Sequence, residues 1–327
     1  MKKLLSAGLC LSMFLLAGCQ GQQDTTLTIT DQAGREVTFE EPCQTAASGY
    51  YITTTIMIGL QQQDKLTGIE MKPETRPIYA KAAEEILDLP QLGNKKMFNV
   101  EECAKADPDV VFLPVSLESY VEELEALDIP VVLLEPETAD DFEEAVEIIG
   151  KVMGCEDKVD EYKQYEEDLL EKYALDEVEE EPTVYFAGSD LLTCATDDMY
   201  QGEILSYAQA DNAIDAEGSS WVNIDIETLL AANPDYVFIE AGSLSADDFK
   251  NDARVQELQA VQNDHVYVFP STLETWDTPS LSSCLGKLWA ASILHPELVS
   301  MDDVEAEAVA FYEQFYGFTP EAQDLAL

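Results

Sequence analysis

The chain has 327 residues, 46% hydrophobic and 9% aromatic, which are values of a folded protein long enough for two lobes with their own cores. Its 66 acids against 17 bases give a formal charge of −49, which repels nucleic acid and anionic headgroups and excludes a phosphate-backbone partner. Acidity on this scale names no ligand and reads first as a solubilising coat.

The opening "MKKLLSAGLCLSMFLLAGC" has Lys2 and Lys3, an apolar run to about Leu16, and then small residues before Cys19. The run is too short for a comfortable membrane span and has the flanks of a signal peptide over residues 1–18. Leu16-Ala17-Gly18-Cys19 resembles the bacterial lipobox, which implies cleavage before Cys19, lipidation of that cysteine, and a polar tether over 19–26. On that reading the mature chain works on the outer face of the cytoplasmic membrane, held by lipid. Cys43, Cys103, Cys155, Cys194 and Cys284 remain, an odd set without a CxxC, and read as buried thiols.

An N-terminal α/β lobe is expected over 27–154. "TLTITDQAGREVTFEEP" reads as a hairpin around Gly34. A short strand near Thr45–Ala47, a helix from about Tyr51 to Leu60, and the strand "KLTGIE" follow. Then come helices over "PIYAKAAEEIL" and 99–106, a strand at 109–113, a helix at 116–126, a strand at 130–134 and a helix at 138–152. Strands alternating with helices predict a parallel sheet. Residues 155–181 contain neither Gly nor Pro, and Val159, Tyr162, Leu169 and Tyr173 recur at helical spacing, so one long connecting helix is expected. A second α/β lobe is expected over 182–327, with strands at 183–188, 235–239 and 266–269, helices near 200–208 and 225–232, and two C-terminal helices.

Each half contains one copy of a short unit, "NVEECAKADPDVVFLP" from Asn99 and "DIETLLAANPDYVFIE" from Asp225. Asn99 and Asp225 are good helix N-caps, Pro108 and Pro234 stop each helix, and a buried strand follows. Val100, Cys103 and Ala104 form an apolar face, matched by Ile226, Leu229 and Leu230. Glu101 and Glu227 stand in the first turn, off that face, where a carboxylate suits the helix dipole. Duplicated helix–strand units account for the fold without requiring a Glu at the same place in both.

The lipobox, "TDQAGREV", "DKLTGIE", both repeated units, the mid-chain helix and "WDTPSLSSCLGKLWAASILHPEL" together resemble one family across nearly all of the mature chain. It is the helical-backbone, class III substrate-binding lipoproteins of ABC importers for ferric siderophores, haem and vitamin B12. The resemblance implies two parallel-sheet α/β lobes joined by one long helix, with the ligand in the cleft between them. It implies that Glu101 and Glu227 form salt bridges with arginines of a permease dimer. It also implies a small-molecule ligand, an iron complex or a corrinoid.

Ligands of open α/β sheets sit beyond the carboxyl ends of the strands. That geometry selects Tyr50, Tyr51, Met71, Lys72, Arg76 and Phe98 from the first lobe. From the second it selects Tyr200, Trp221, Glu240 and Trp276. The aromatics suit a macrocycle or a catecholate, and Lys72 or Arg76 an anionic group, so a molybdate-like oxyanion is the alternative ligand. No GxSxG, GxxxxGK[ST] or HExxH is present, and His265 and His295 lack metal-ligand spacing, so no enzyme chemistry, cofactor or metal centre is called for. An enzyme or adhesion lipoprotein on the same frame is the reading from another class.

Overall fold

Alternation of side chains along each strand sets the architecture. In strand Val110–Pro114, Val110 and Phe112 enter one core, and Val111 and Leu113 another. In strand Thr183–Ala187, Val184 and Phe186 join that same first core, while Tyr185 and Ala187 face a third. Each sheet therefore has one face buried in a private core and one in a core shared by both lobes. The structure, a computed structural model, describes residues 26–327 apart from 176, 177, 179, 217, 219 and 271. The leader, Cys19 and the tether up to residue 25 lie outside the described residues.

The first sheet is fully parallel, in the order Leu66–Gly68, Ala46–Ser48, Val110–Pro114, Val131–Leu134. The hairpin Leu27–Thr30/Glu36–Phe39 forms as expected and docks on the sheet's edge. The buried Asp31 carboxylate accepts the N–H groups of Ala33, Arg35 and Leu133, and Gln32 N–H donates to the Leu133 carbonyl at 3.0 Å. The second sheet has a parallel centre of Thr183–Ala187, Tyr236–Ile239 and Val266–Val268. Its edge is antiparallel, made of Thr193–Cys194 and Val222–Asn223, and two-residue strands are too short to leave a period in the sequence.

Two expected helices are broken. The one over 77–87 is an α-helix Pro77–Ala82 and a 3₁₀ turn Glu84–Asp88, parted at Ala83. The one over 116–126 opens as 3₁₀ before becoming α at Val121–Glu125. The connecting helix spans Glu156–Lys172, shorter than the expected 155–181. Val159, Tyr162 and Leu169 are buried as the spacing requires, but Tyr173 is already the C-cap. The Tyr207 hydroxyl donates to the carbonyls of Leu170 and Tyr173, closing the helix end. Beyond it stands an acidic run, and carboxylates are unfavourable at the negative pole of a helix. The helix packs on Ala139–Met153, where Gly150 leaves room for Val159, and on the C-terminal helices through Tyr165 against Phe311 and Phe315.

Both repeated units fold alike. Asn99 and Asp225 cap helices Val100–Ala106 and Ile226–Ala232, accepting from Glu102 N–H at 3.1 Å and Thr228 N–H at 2.8 Å. Each helix ends in a left-handed residue, Asp107 or Asn233, just before the proline. The aspartate after the proline then fastens the neighbouring strand. Asp109 accepts the N–H groups of Gln44 and Thr45, both at 2.8 Å, and donates its own N–H to the Thr45 hydroxyl. Asp235 accepts the N–H and the hydroxyl of Thr183 and donates its own N–H back to that hydroxyl. Leu230 departs from the expected apolar face, being 39% exposed.

Candidate functional site: an aromatic and basic pocket at the strand ends

Strand Ala46–Ser48 runs through Gly49 and Tyr50 into helix Tyr51–Gly59, whose first turn has no side-chain cap and no acid. Unpaired N–H groups and the positive end of the helix therefore meet the carboxyl edge of the sheet. A pocket of about 400 Å3 opens there, lined by Tyr50, Tyr51, Met71, Arg76, Lys95 and Lys96, with Gly49, Glu70 and Asn94. The two tyrosine rings meet edge to face at 5.3 Å. The Arg76 guanidinium lies 4.0 Å from the Tyr51 ring centre, and Lys95 Nζ lies 4.8 Å from that of Tyr50. Lys95 also pairs with Glu137 at 3.1 Å. Glu70 is buried and already engaged, accepting the hydroxyls of Tyr79 and Thr54, both at 2.7 Å. Arg76 and Lys96 thus bring cationic charge to this wall without an ion-pair partner among the described residues, and Lys95 brings a third cation that is shared with Glu137.

The second lobe contributes its own strand ends. Trp221 lies over Gly188, where a Cβ would come within 2.5 Å of the indole, so only glycine lets the ring settle there. Glu240 follows strand Tyr236–Ile239, and burial raises its carboxyl above the usual range. Beneath it Asp277 is fully buried, with one oxygen accepting Ala241 N–H at 2.9 Å and the other without a partner, and burial lifts it to about 7. A second cavity of about 300 Å3 lies between the lobes, with Tyr51, Thr55 and Arg76 on one side and Glu274, Thr275 and Thr278 on the other. Both Glu274 oxygens are buried without a hydrogen-bond partner, and burial raises that carboxyl to about 7.

Tyr50, Tyr51, Met71 and Arg76 are thus brought into one pocket, with Trp221 and Glu240 at the facing strand ends. Other expected ligand residues stand elsewhere. Lys72 is exposed with left-handed backbone, and its side chain is not part of the lining. Phe98 is buried against Tyr120, in a different groove. Tyr200 is 3% exposed and bonded to the Ser283 hydroxyl, deep between helices. Trp276 is 2% exposed, its indole N–H donating to the Tyr312 hydroxyl at 3.0 Å, so it is core. Lys95 and Lys96 were not selected, although they are the only adjacent cations after the leader in a chain poor in cations. Glu101 and Glu227 both stand exposed on their helices; Glu101 pairs with Lys105 at 3.0 Å, and no cation among the described residues pairs with Glu227. The five cysteines are buried and free. Among the described residues no cluster of His, Cys, Asp and Glu could hold a metal, and no helix is long and apolar enough to cross a membrane.

Two α/β lobes with facing strand ends and one long connecting helix define an extracytoplasmic substrate-binding protein of the ABC-importer class. The chain belongs to the periplasmic binding protein family, which matches residues 47–273 and comprises substrate-binding proteins rather than enzymes. It is 23% identical over 317 residues to the molybdate-binding protein MolA of Haemophilus influenzae, covering 88% of this chain and 90% of that one. The structure of MolA bound to molybdate aligns with a TM-score of 0.76 at 22% identity, over 90% of this chain and 99% of that one. A periplasmic solute binding protein from Veillonella parvula gives a TM-score of 0.78 at 20% identity, over 92% and 97% of the two chains. Helicobacter pylori CeuE in its Ni-His complex gives 0.72 at 18% identity, over 91% and 97%.

Proposed function

We propose that the chain is a lipid-anchored receptor that binds an anionic small molecule and delivers it to an ABC permease. The observation that carries this is local reversal of charge. In a chain of −49, an uncapped helix N-terminus and the cations Arg76, Lys95 and Lys96 converge on one pocket. An oxyanion of the molybdate or tungstate kind fits that chemistry, and the likeness to MolA supports it. The second reading is an anionic iron chelate, a ferric siderophore or haem, which the rings of Tyr50, Tyr51 and Trp221 favour. A corrinoid has less support, because cobalamin carries no net negative charge to match the cations.

Titration of the purified receptor with molybdate, tungstate, sulfate, a ferric catecholate, haem and cobalamin decides among these. The anion reading expects binding of one of the first five, and a loss of about tenfold or more in Arg76→Ala and in Lys95→Ala, as for a charged hydrogen bond removed. Binding of cobalamin alone, or wild-type affinity in both variants, overturns it. Delivery rests on Glu101 and Glu227 as exposed docking acids. The double change Glu101→Ala, Glu227→Ala keeps ligand affinity and melting temperature but abolishes uptake, since an unpaired partner charge at a docked interface costs ~2–5 kcal/mol. Normal uptake by that variant reduces the repeat to a duplicated fold element. Anchoring rests on Cys19, and Cys19→Ala releases the protein from the membrane fraction.

A further inference from the structure

Beside helix Val100–Ala106 lies a second groove, which adjoins the candidate ligand pocket and shares only Met71 with it. It measures about 510 Å3, and Met71, Leu92, Met97, Phe98, Val100 and Tyr120 form its apolar lining. Phe98 and Tyr120 meet edge to face at 6.1 Å within it. Met97, on the short strand Met97–Phe98, is 57% exposed, more than any other large hydrophobe among the described residues. Apolar surface displayed this way is unfavourable in water, and covering it lowers the free energy. Two exposed carboxylates, Glu101 and Glu123, stand at the rim, and no cation lines the groove.

That pattern selects the occupant. A second copy of this chain, itself at −49, would bring acids against acids, and an anionic lipid surface would be repelled in the same way. A cationic protein surface carrying an apolar side chain meets both features. We propose that the groove receives an apolar side chain from a loop of the permease, beside the Arg or Lys that pairs with Glu101. This rests on the docking role assigned above to Glu101 and Glu227. The second lobe has a simpler version, because Leu230 is 39% exposed one turn from Glu227.

The test is binding of the unloaded receptor to its importer in nanodiscs, at low and at high salt. Met97→Ser weakens docking by ~tenfold at both, the order for withdrawing one buried apolar side chain, and Met97→Leu stays near wild type. The double variant Glu101→Ala, Glu227→Ala weakens docking mainly at low salt, where charge pairs are least screened. If the Glu variant loses docking and Met97→Ser keeps it, the groove is not part of the interface. If both variants dock normally, the docking assignment itself is wrong, and the groove proposal falls with it.

Discussion

Lys105 makes Glu101 and Glu227, the two acids proposed to dock, unequal. Its ammonium lies 3.0 Å from Glu101 and 2.8 Å from Glu102, whereas the matching place in the second copy is Ala231. On the proposed docking, a permease arginine would displace Lys105 at one lobe and nothing at the other. Exposed pairs of this kind contribute ~0.2–1 kcal/mol, so Lys105→Ala tightens docking up to about fivefold, and unchanged or weaker docking would count against competition. Glu274 carries a different consequence. Burial raises its carboxyl from the ordinary 4.5 to about 7, so the unfolded chain releases this proton first. Stability therefore falls as pH rises from about 4.5 to about 7 and is level above. At about 1.4 kcal/mol per unit the loss is of the order of 3 kcal/mol, and Asp277 adds a change of the same sign. Glu274→Gln flattens that slope and raises the melting temperature at pH 8. Melting curves of wild type and variant that run parallel from pH 5 to 8 would dismiss the buried charge as the cause. Neither residue stands out in the sequence, because one acid among 66 acquires its role only from what surrounds it.

The helix–strand unit is the element most fully legible beforehand. Cap, proline and buried strand are local signals, and Asn99, Asp225, Pro108 and Pro234 act within a few residues of themselves. The aspartate after each proline was not legible, since Asp109 acts on Thr45 and Asp235 on Thr183, 64 and 52 residues away. These carboxylates hold parallel neighbours in register, Ala46 opposite Val110 and Val184 opposite Tyr236. Asp109→Ala and Asp235→Ala each leave backbone or hydroxyl donors unpaired, and each lowers stability by ~1–3 kcal/mol in denaturant titration. A loss under 0.5 kcal/mol in both would mean that the strands pair without this fastening. The ligand pocket was half legible for the same reason. Tyr50 and Tyr51 directly follow a strand, but Lys95 and Lys96 reach the pocket from the small hairpin Gly93–Asn94/Met97–Phe98, too short to predict. Trp276 sits in a segment without period, where an aromatic side chain gives no sign of which way it turns.

At the scale of the whole molecule, the shared core governs behaviour. Phe112 of the first sheet, Phe186 and Phe238 of the second, and Phe311 and Tyr316 near the C-terminus belong to one buried cluster. The C-terminal segment also reaches back to the first lobe, where Tyr316 and Leu281 crowd Gly59, the Gln61 amide donates to the Gln314 carbonyl, and Lys81 pairs with Asp324 at 2.9 Å. Opening the lobes like a hinge would expose this apolar surface at about 25 cal/mol per Å2. Scattering with and without ligand should therefore give nearly the same radius of gyration, and a large contraction on loading would contradict the shared core. Thermal unfolding should be one transition for both lobes; two well-separated transitions would mean that the cores are independent.

A receptor that barely changes outline has a consequence for traffic at the membrane. With so little change on loading, its importer would meet almost the same shape whether the receptor arrives full or empty. On the proposed ligand site and docking surfaces, discrimination would then come from the mouth of the cleft, where cargo or vacant cations face the permease, and the outer docking surfaces would contribute none of it. Empty receptors occupy the same landing sites as full ones, so overproducing the receptor when ligand is scarce slows uptake.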